Sequence, residues 1–557
     1  VIYDGSHPLQ SEDLREISME NSKKAELVLK NAKVWTVDPG HPRAEAVAIE
    51  GNYIKAVGAT AEMEPLAGPN TQVVDLGGRL VLPGFNDCHT HFVSWAIRSS
   101  GGFDVYGAET LEEVQQRLQQ YDQSHPEDDW LFGMRWQPAG AKGDWPNAKD
   151  LDAVVKDRPV AIIDIDGHTG WVNTKGLERL GFDAFTADPE GGTILRDPSG
   201  KPTGVLFENA HENIPRPKPS NDEDFKASIT EEIGNLHRLG ITSLSDNYLP
   251  LETMQLCGHI AQEGDLDLRI NYWPLLVEEF ESLLSIRDQF KDNPRIQVVG
   301  VKAFIDGVLS NRTAWMLDSY PGYPEESGYP VNDLDELTQK AIQADKDGFQ
   351  IVIHAIGNRG VREVLDIYEK TQTENGARDH RHRIEHVEVT HPEDQERFAD
   401  LGVIASMTPV HYCERINYQD GSTVREDHYP NMMSVWRTFV DSGVHLCFGT
   451  DWPALDLARP DPLKQIFSAV ARVPPQMPEV EPKGPEQALT IEQAINCYTL
   501  ESAYAEFAEN TKGSITAGKV ADLCVLDKNI LEVDPGEILQ TKVVMTVFDG
   551  EVVFREL

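Results

Sequence analysis

Cysteine is scarce in this sequence and unpaired in pattern. Six residues (Cys88, Cys257, Cys413, Cys447, Cys497 and Cys524) are scattered through 557 with no Cys-x-x-Cys pair. That favours reduced, buried thiols over a disulfide framework or a structural zinc site. Long apolar runs are missing too. None approaches the roughly 18 residues needed to span a bilayer, so no transmembrane helix is expected. Positive charge is in deficit: 50 Lys and Arg stand against 92 Asp and Glu, a formal net charge of −42. Such a polyanion repels nucleic acid and anionic membrane surfaces, and neither is expected as a partner. Residues 1–24 lack the apolar core of a secretory signal, so the expected location is cytoplasmic; the start at Val1 rather than Met leaves a removed leader open.

What remains is an ordinary globular composition, 40% hydrophobic and 25% charged. The chain is long enough for about two to four folding units. After a tail over 1–25, short strand-like runs fill 26–80, among them Ala46-Val47-Ala48-Ile49-Glu50 and Tyr53-Ile54-Lys55-Ala56-Val57 around a Gly51-Asn52 turn. A matching set closes the chain over 513–557, with Asp549-Gly550 as its turn. Sheets this small bury their apolar faces best against each other, so the two ends are expected to form one discontinuous β-sandwich domain.

Between them, over 81–512, strands alternate with helices. Phe225, Ile229, Ile233 and Leu236 recur at helical spacing before Gly240, and Asp333-x-x-Glu336 reads as the start of the next helix. Eight apolar strands are expected, at 80–87, 241–246, 269–276, 298–305, 350–354, 382–387, 403–408 and 445–450. Eight parallel strands with helical crossovers suit a (β/α)8 TIM barrel, whose active site lies at the C-terminal strand ends. An open doubly wound sheet would want a Gly-rich phosphate loop after its first strand; here that strand runs into His89-Thr90-His91. Residues 93–221 break the rhythm and hold the strand-like run Val160–Ile165 with five tryptophans, Trp171 among them. They read as an inserted subdomain after strand 1, shaping the barrel mouth.

Polar residues fall at the expected strand ends in a definite order: His89 and His91 on strand 1, Lys302 on strand 4, His354 on strand 5, His386 on strand 6 and Asp451 on strand 8. His89 and His91, two apart on a strand, share a face. Singly, each has a bland reading as a core histidine, a snorkelling lysine or a turn cap. Jointly they fit a metal centre, because coordination removes the cost of burying unpartnered imidazoles and charges.

The segments Phe85-Asn86-Asp87-Cys88-His89-Thr90-His91, Val301-Lys302-Ala303-Phe304-Ile305-Asp306-Gly307, Ile353-His354-Ala355-Ile356-Gly357, Arg383-Ile384-Glu385-His386 and Gly449-Thr450-Asp451-Trp452-Pro453 resemble the amidohydrolase superfamily. With Asp166-Gly167-His168-Thr169-Gly170-Trp171 and the paired terminal β-segments, they look most like its YtcJ-like branch, which includes N-substituted formamide deformylases. Asn358 departs from the pattern, standing where an aspartate is expected. The resemblance implies two divalent ions, zinc being the expectation. His89 and His91 would hold the first with Asp451, His354 and His386 the second, and Lys302, carboxylated, would bridge them. Two close cations among neutral ligands need an anionic bridge, and carboxylation needs the neutral amine that burial favours.

The implied activity is hydrolysis of an amide-type C–N bond in a small molecule by a metal-bound hydroxide. Asp451 would act as proton shuttle, Lys302 as bridge and His168 as a grip on substrate. Trp171 and Asp306 are further substrate-side positions. Alternatives are a single-metal deaminase, a lactone or ester hydrolase on the same barrel, and a non-catalytic scaffold. The deaminase pattern wants a His-x-x-Glu after strand 5, which Ala355-Ile356-Gly357 does not supply. A homo-oligomer is left open.

Overall fold

Leu80–Pro83 and Phe85–Thr90, expected as one strand, belong to two different sheets. The computed structural model of the protein describes residues 24–137, 145–215, 221–247, 250–376, 378–413, 428, 430–454 and 457–557. In it Leu80–Pro83 runs parallel to Lys33–Trp35 and antiparallel to Leu523–Leu526. The join is Gly84, whose N–H donates to Asp522 O at 2.8 Å, while that of Phe85 donates to Gly240 O at 2.9 Å. A Cβ on Gly84 would lie 2.2 Å from Thr242 Oγ1, so no side chain fits where the chain changes sheets. The expected 80–87 strand is therefore corrected to two.

Strands from both ends of the chain share one six-stranded sheet, in the order Glu551–Arg555, Val543–Phe548, Leu523–Leu526, Leu80–Pro83, Lys33–Trp35 and Arg43–Ala44. A second sheet of Tyr53–Gly58, Ala46–Glu50, Leu27–Lys30 and Gln72–Asp75 packs on it. Leu29, Val47, Ile54, Val81, Val525 and Met545 lie in one core between them. Asp549 and Gly550 both take positive φ, 52° and 85°, as a two-residue hairpin turn in a right-twisted ribbon requires.

The next strands are β1 (Phe85–Thr90), β2 (Ile241–Asn247), β3 (Arg269–Trp273), β4 (Gly300–Phe304), β5 (Gln350–Ala355), β6 (Arg383–His386), β7 (Ile404–Met407) and β8 (Leu446–Phe448). Within each of two groups, β1 to β3 and β4 to β8, neighbours pair in parallel. Parallel bridges Leu275–Lys302 and Thr90–Trp452 join the groups edge to edge, an arrangement consistent with a closed (β/α)8 barrel. The helix Asp222–His237 buries Phe225, Ile229, Ile233 and Leu236, and the Asn221 side chain caps it by accepting from Glu223 and Asp224 N–H. Asp333 caps Leu334–Lys346 through the Glu336 N–H at 2.8 Å. All six cysteines are free and buried. Among the described residues no helix is long and apolar enough to cross a membrane.

Between β1 and β2 a separate six-stranded sheet forms, in the order Gly192–Arg196, Pro202–Glu208, Thr169–Val172, Val160–Asp164, Leu131–Trp136 and Phe103–Asp104. Its tryptophans pack. Trp171 is 1% exposed, lies 5.4 Å from Trp136 between ring centroids, and donates from Nε1 to Asn147 O at 3.1 Å. It is not among the described residues lining the cavity below, so its expected substrate contact is corrected to a place in the core of this sheet.

Candidate metal centre

At the C-terminal strand ends, side chains from distant parts of the chain converge. Ligand atoms of His89, His386 and Asp451 all lie within 4.8 Å of one another. Asp451 Oδ1 is 3.4 Å from His89 Nε2 and 3.1 Å from His91 Nε2, and Oδ2 is 4.0 Å from His386 Nδ1. His354 stands alongside, its ring 4.6 Å from that of His386, but outside the tight group. Backbone bonds fix the loops: Asp451 N donates to His89 O and His91 N to Trp452 O, both at 2.7 Å. Glu385 and His386 are consecutive, and a regular strand would turn them to opposite faces. The φ of His386, 72°, breaks that alternation, and both reach the same centre. Asp451 is also left-handed, at 56°; a non-glycine residue held there stores on the order of 1 kcal/mol of strain, a common feature of functional sites.

A second layer orients these groups. His89 Nδ1 donates to Glu385, and His91 Nδ1 donates to Asn247 O at 3.0 Å, leaving both Nε2 atoms for the centre. Glu385 also accepts from Arg383 Nε at 2.9 Å and Ser406 Oγ at 2.7 Å. Burial works against its charge, yet Arg383 and His89 pull it down to about 2. Asp87 accepts from Thr450 N at 2.8 Å and Thr450 Oγ1 at 2.6 Å, tying β1 to the residue before Asp451. His411, after β7, stacks 5.8 Å from His386 and donates from Nε2 to Ala454 O at 2.7 Å.

Burial and the Lys302 charge bring His89 down to about 4; burial holds His354 and His386 well below the usual imidazole value. Neutral imidazoles are the form that binds metal. Asp451, against the pull of burial, is held well below the usual carboxylate range by His89 and His91. Three buried atoms here have no hydrogen-bond partner: Lys302 Nζ, His386 Nδ1 and Asp451 Oδ1. Unpartnered polar atoms at that depth are costly, and a cation among neutral imidazoles and a carboxylate removes the cost. The donor set fits a divalent metal.

A cavity of about 340 Å3 lies above, between barrel and inserted sheet, with His91 and Lys302 on its lining together with His168, Phe132 and Leu275. His168 Nδ1 donates to Glu208 at 2.7 Å. Burial opposes a charge on this ring, but Glu208, Asp164 and Asp166 raise it to about 9. Asp306 also reaches the cavity, but both of its oxygens are committed: Oδ1 accepts from Ile356 N at 3.0 Å, and Oδ2 from Gly357 N and Trp315 N, each at 2.8 Å. Asp306 thus braces the backbone after β5 while lining the cavity. Asn358 accepts from Leu317 N at 2.8 Å and braces the same region.

Sequence reading passed over Glu385, Arg383, Asp87, His411 and Glu208. Arg383 and Glu385 were legible, since i and i+2 on a buried strand point to one face. Glu208 and His411 carry no such pattern.

Asp345, His380 and His382 form another tight buried group, at the opposite strand ends. Its protonation is wrong for a cation. His380 Nε2 accepts from Arg378 N and His382 Nδ1 from Ile351 N, both at 3.1 Å, so the nitrogens facing Asp345 carry the protons. Asp345 accepts from His380 Nδ1 at 2.7 Å and Asn375 Nδ2 at 2.8 Å, and pairs with Arg378. Asp345→Ala strands these donors and should cost about 3 kcal/mol, read as a lowered thermal midpoint. Burial pushes the Asp345 carboxyl up, but its donors hold it well below the ordinary range. A depressed carboxylate contributes fully above its unfolded pKa and loses that contribution as pH falls. The midpoint gap between wild type and variant should therefore be full above about pH 5 and narrow on acidification.

The chain is similar to known proteins over most of its length. The amidohydrolase family model matches residues 72–554. Protein LONG AFTER FAR-RED 3 of Arabidopsis thaliana is 30% identical over 522 residues, covering 91% of this chain and 88% of its own. N-substituted formamide deformylase of Arthrobacter pascens is 27% identical, covering 94% of this chain and 97% of its own. The crystal structure of an uncharacterized metal-dependent hydrolase from Pyrococcus horikoshii superposes with a TM-score of 0.70 at 25% identity, over 92% of this chain and 99% of that one. The family match takes in every strand that brings a side chain to the centre, and the chain belongs to the amidohydrolase family, in its YtcJ-like branch.

Proposed function

We propose that this protein is a metal-dependent hydrolase of an amide-type C–N bond in an N-substituted small molecule, such as a formamide. The observation that carries the reading is the meeting of His89, His91, His386 and Asp451 beneath a cavity walled in part by apolar side chains. In this reading the barrel bears the centre, the terminal sandwich supports its first strand and the inserted sheet roofs the cavity. His89, His91 and Asp451 would hold one cation, His354 and His386 would hold a second, and Lys302, once carboxylated, would supply the anionic charge between them. When bound, the cations, zinc in our reading, would supply an activated water and polarise the carbonyl.

The chain's own groups do the rest. Asp451, held as a carboxylate, accepts the proton of the attacking water and delivers it to the leaving nitrogen as the C–N bond breaks. His168, held as a cation, donates a hydrogen bond to the substrate oxygen, where negative charge grows. Phe132, Leu275 and Val331 offer an apolar wall to the N-substituent. His168→Gln should lower kcat by about 10²-fold with KM little changed, because the lost donor acts on the transition state. Steady-state kinetics at constant metal content measure it.

A second reading has its own support: the tight group is complete with one cation, as in a single-metal enzyme. The test is a metal count on purified protein, with a screen of formamides, acylated amino acids and lactones. About two ions per chain and turnover of an amide support the proposal. One ion, or turnover of lactones alone, overturns its finer part.

A further inference from the structure

We propose that Glu208 is the positioning residue for His168, and that it locks the inserted sheet's histidine to the barrel rather than leaving it to move with the insertion. The inference rests on the reading of His168 as the donor to substrate oxygen.

Glu208 ends the strand Pro202–Glu208, is 5% exposed, and takes a left-handed φ of 49°. A glutamate is an uncommon tenant of that region, and here the conformation bends the chain just where the side chain is needed. It holds His168 twice: its backbone N–H donates to His168 O at 2.9 Å, and its Oε2 accepts from His168 Nδ1 at 2.7 Å. With Nδ1 engaged, Nε2 is the nitrogen left to meet a ligand in the cavity.

The other carboxylate oxygen faces the barrel. Oε1 accepts from Thr313 Oγ1 at 2.6 Å, on the loop after β4. A Cβ on Gly307 of the same loop would lie 2.2 Å from Oε1, so Glu208 packs straight onto that backbone. The Gly307 carbonyl in turn accepts from His354 Nε2 at 3.1 Å. One carboxylate thus joins the insertion to the barrel loop that touches the centre. The rings of His168 and His354 stand 5.2 Å apart as a result. Distances of this kind matter because a donor displaced by even 1 Å loses much of its effect on a transition state.

The test is a double-mutant cycle on the holoenzyme, with the best substrate from the screen and metal content checked in each variant. Glu208→Gln keeps the shape and removes the charge. It should lower kcat by about 10²-fold with KM within a few-fold, and have no further effect on His168→Gln. Thr313→Val, which removes only the barrel side of the brace, should give a smaller loss of the same kind. In 15N-histidine NMR the protected Nδ1–H of His168 should persist in Thr313→Val and vanish in Glu208→Ala. Equal losses from Glu208→Gln with and without His168, or a rise in KM alone, overturn the positioning role. If His168→Gln is impaired while Glu208→Gln is not, this inference fails and the reading of His168 stands. A fully active His168→Gln removes that reading and this inference with it.

Discussion

Asp451→Asn is expected to lower turnover by about 10³-fold, within the range for loss of a general base, and to strip the protein of metal. The carboxylate faces His89 and His91 at 3.4 and 3.1 Å, with His411 Nε2 at 3.7 Å. An amide fills the same space but carries no charge to offset a cation and does not take a proton from water. Both losses act on one site, so they should appear together, in kcat and in metal content by mass spectrometry. Near-normal kcat in a protein that keeps its metal would remove Asp451 from the chemistry.

Lys302→Ala should be almost as severe, with a loss of about 10²-fold or more in kcat and a fall from about two ions per chain to one. Lys302 is 1% exposed, its Nζ has no hydrogen-bond partner, and it sits 5.0 Å over the ring of Phe304. Burial brings it down to about 8, although Glu385 and Asp451 pull the other way. The neutral amine that reacts with carbon dioxide is thus reachable near neutral pH, which an ordinary lysine does not offer. A carbamate signal in 13C NMR after incubation with labelled bicarbonate, absent in the variant, is the direct readout. Full activity and an unchanged metal count in Lys302→Ala would dismiss the bridge.

Residues that end apolar strands were legible because strand periodicity fixes their direction. His89, His354 and Asp451 all lie at the end expected of them. Gly84 was harder: two apolar strands in series look like one, and only the Pro83-Gly84 dipeptide hints at the change of sheet. Trp171 misled because a large aromatic in an insertion fits a pocket wall as well as a core, and composition does not separate the two. Asp306 lies beyond β4, as its strand places it, and its oxygens accept both from Trp315, nine positions on, and from Ile356, fifty positions on. The Glu208–His168 contact spans forty positions, as an in-strand pattern cannot.

Leu80–Pro83 lies between an early strand and Leu523–Leu526, and runs through Gly84 into the strand bearing His89. On the ribosome, that middle strand therefore waits for a neighbour made more than four hundred residues later. Until Leu523–Leu526 is made, its antiparallel edge is bare and the first histidines hang from an unfinished support. Completion of that support is consequently a late step in building the chain. A chain that stopped short of Leu523, though far from His89 and Asp451, would leave that strand without its antiparallel neighbour.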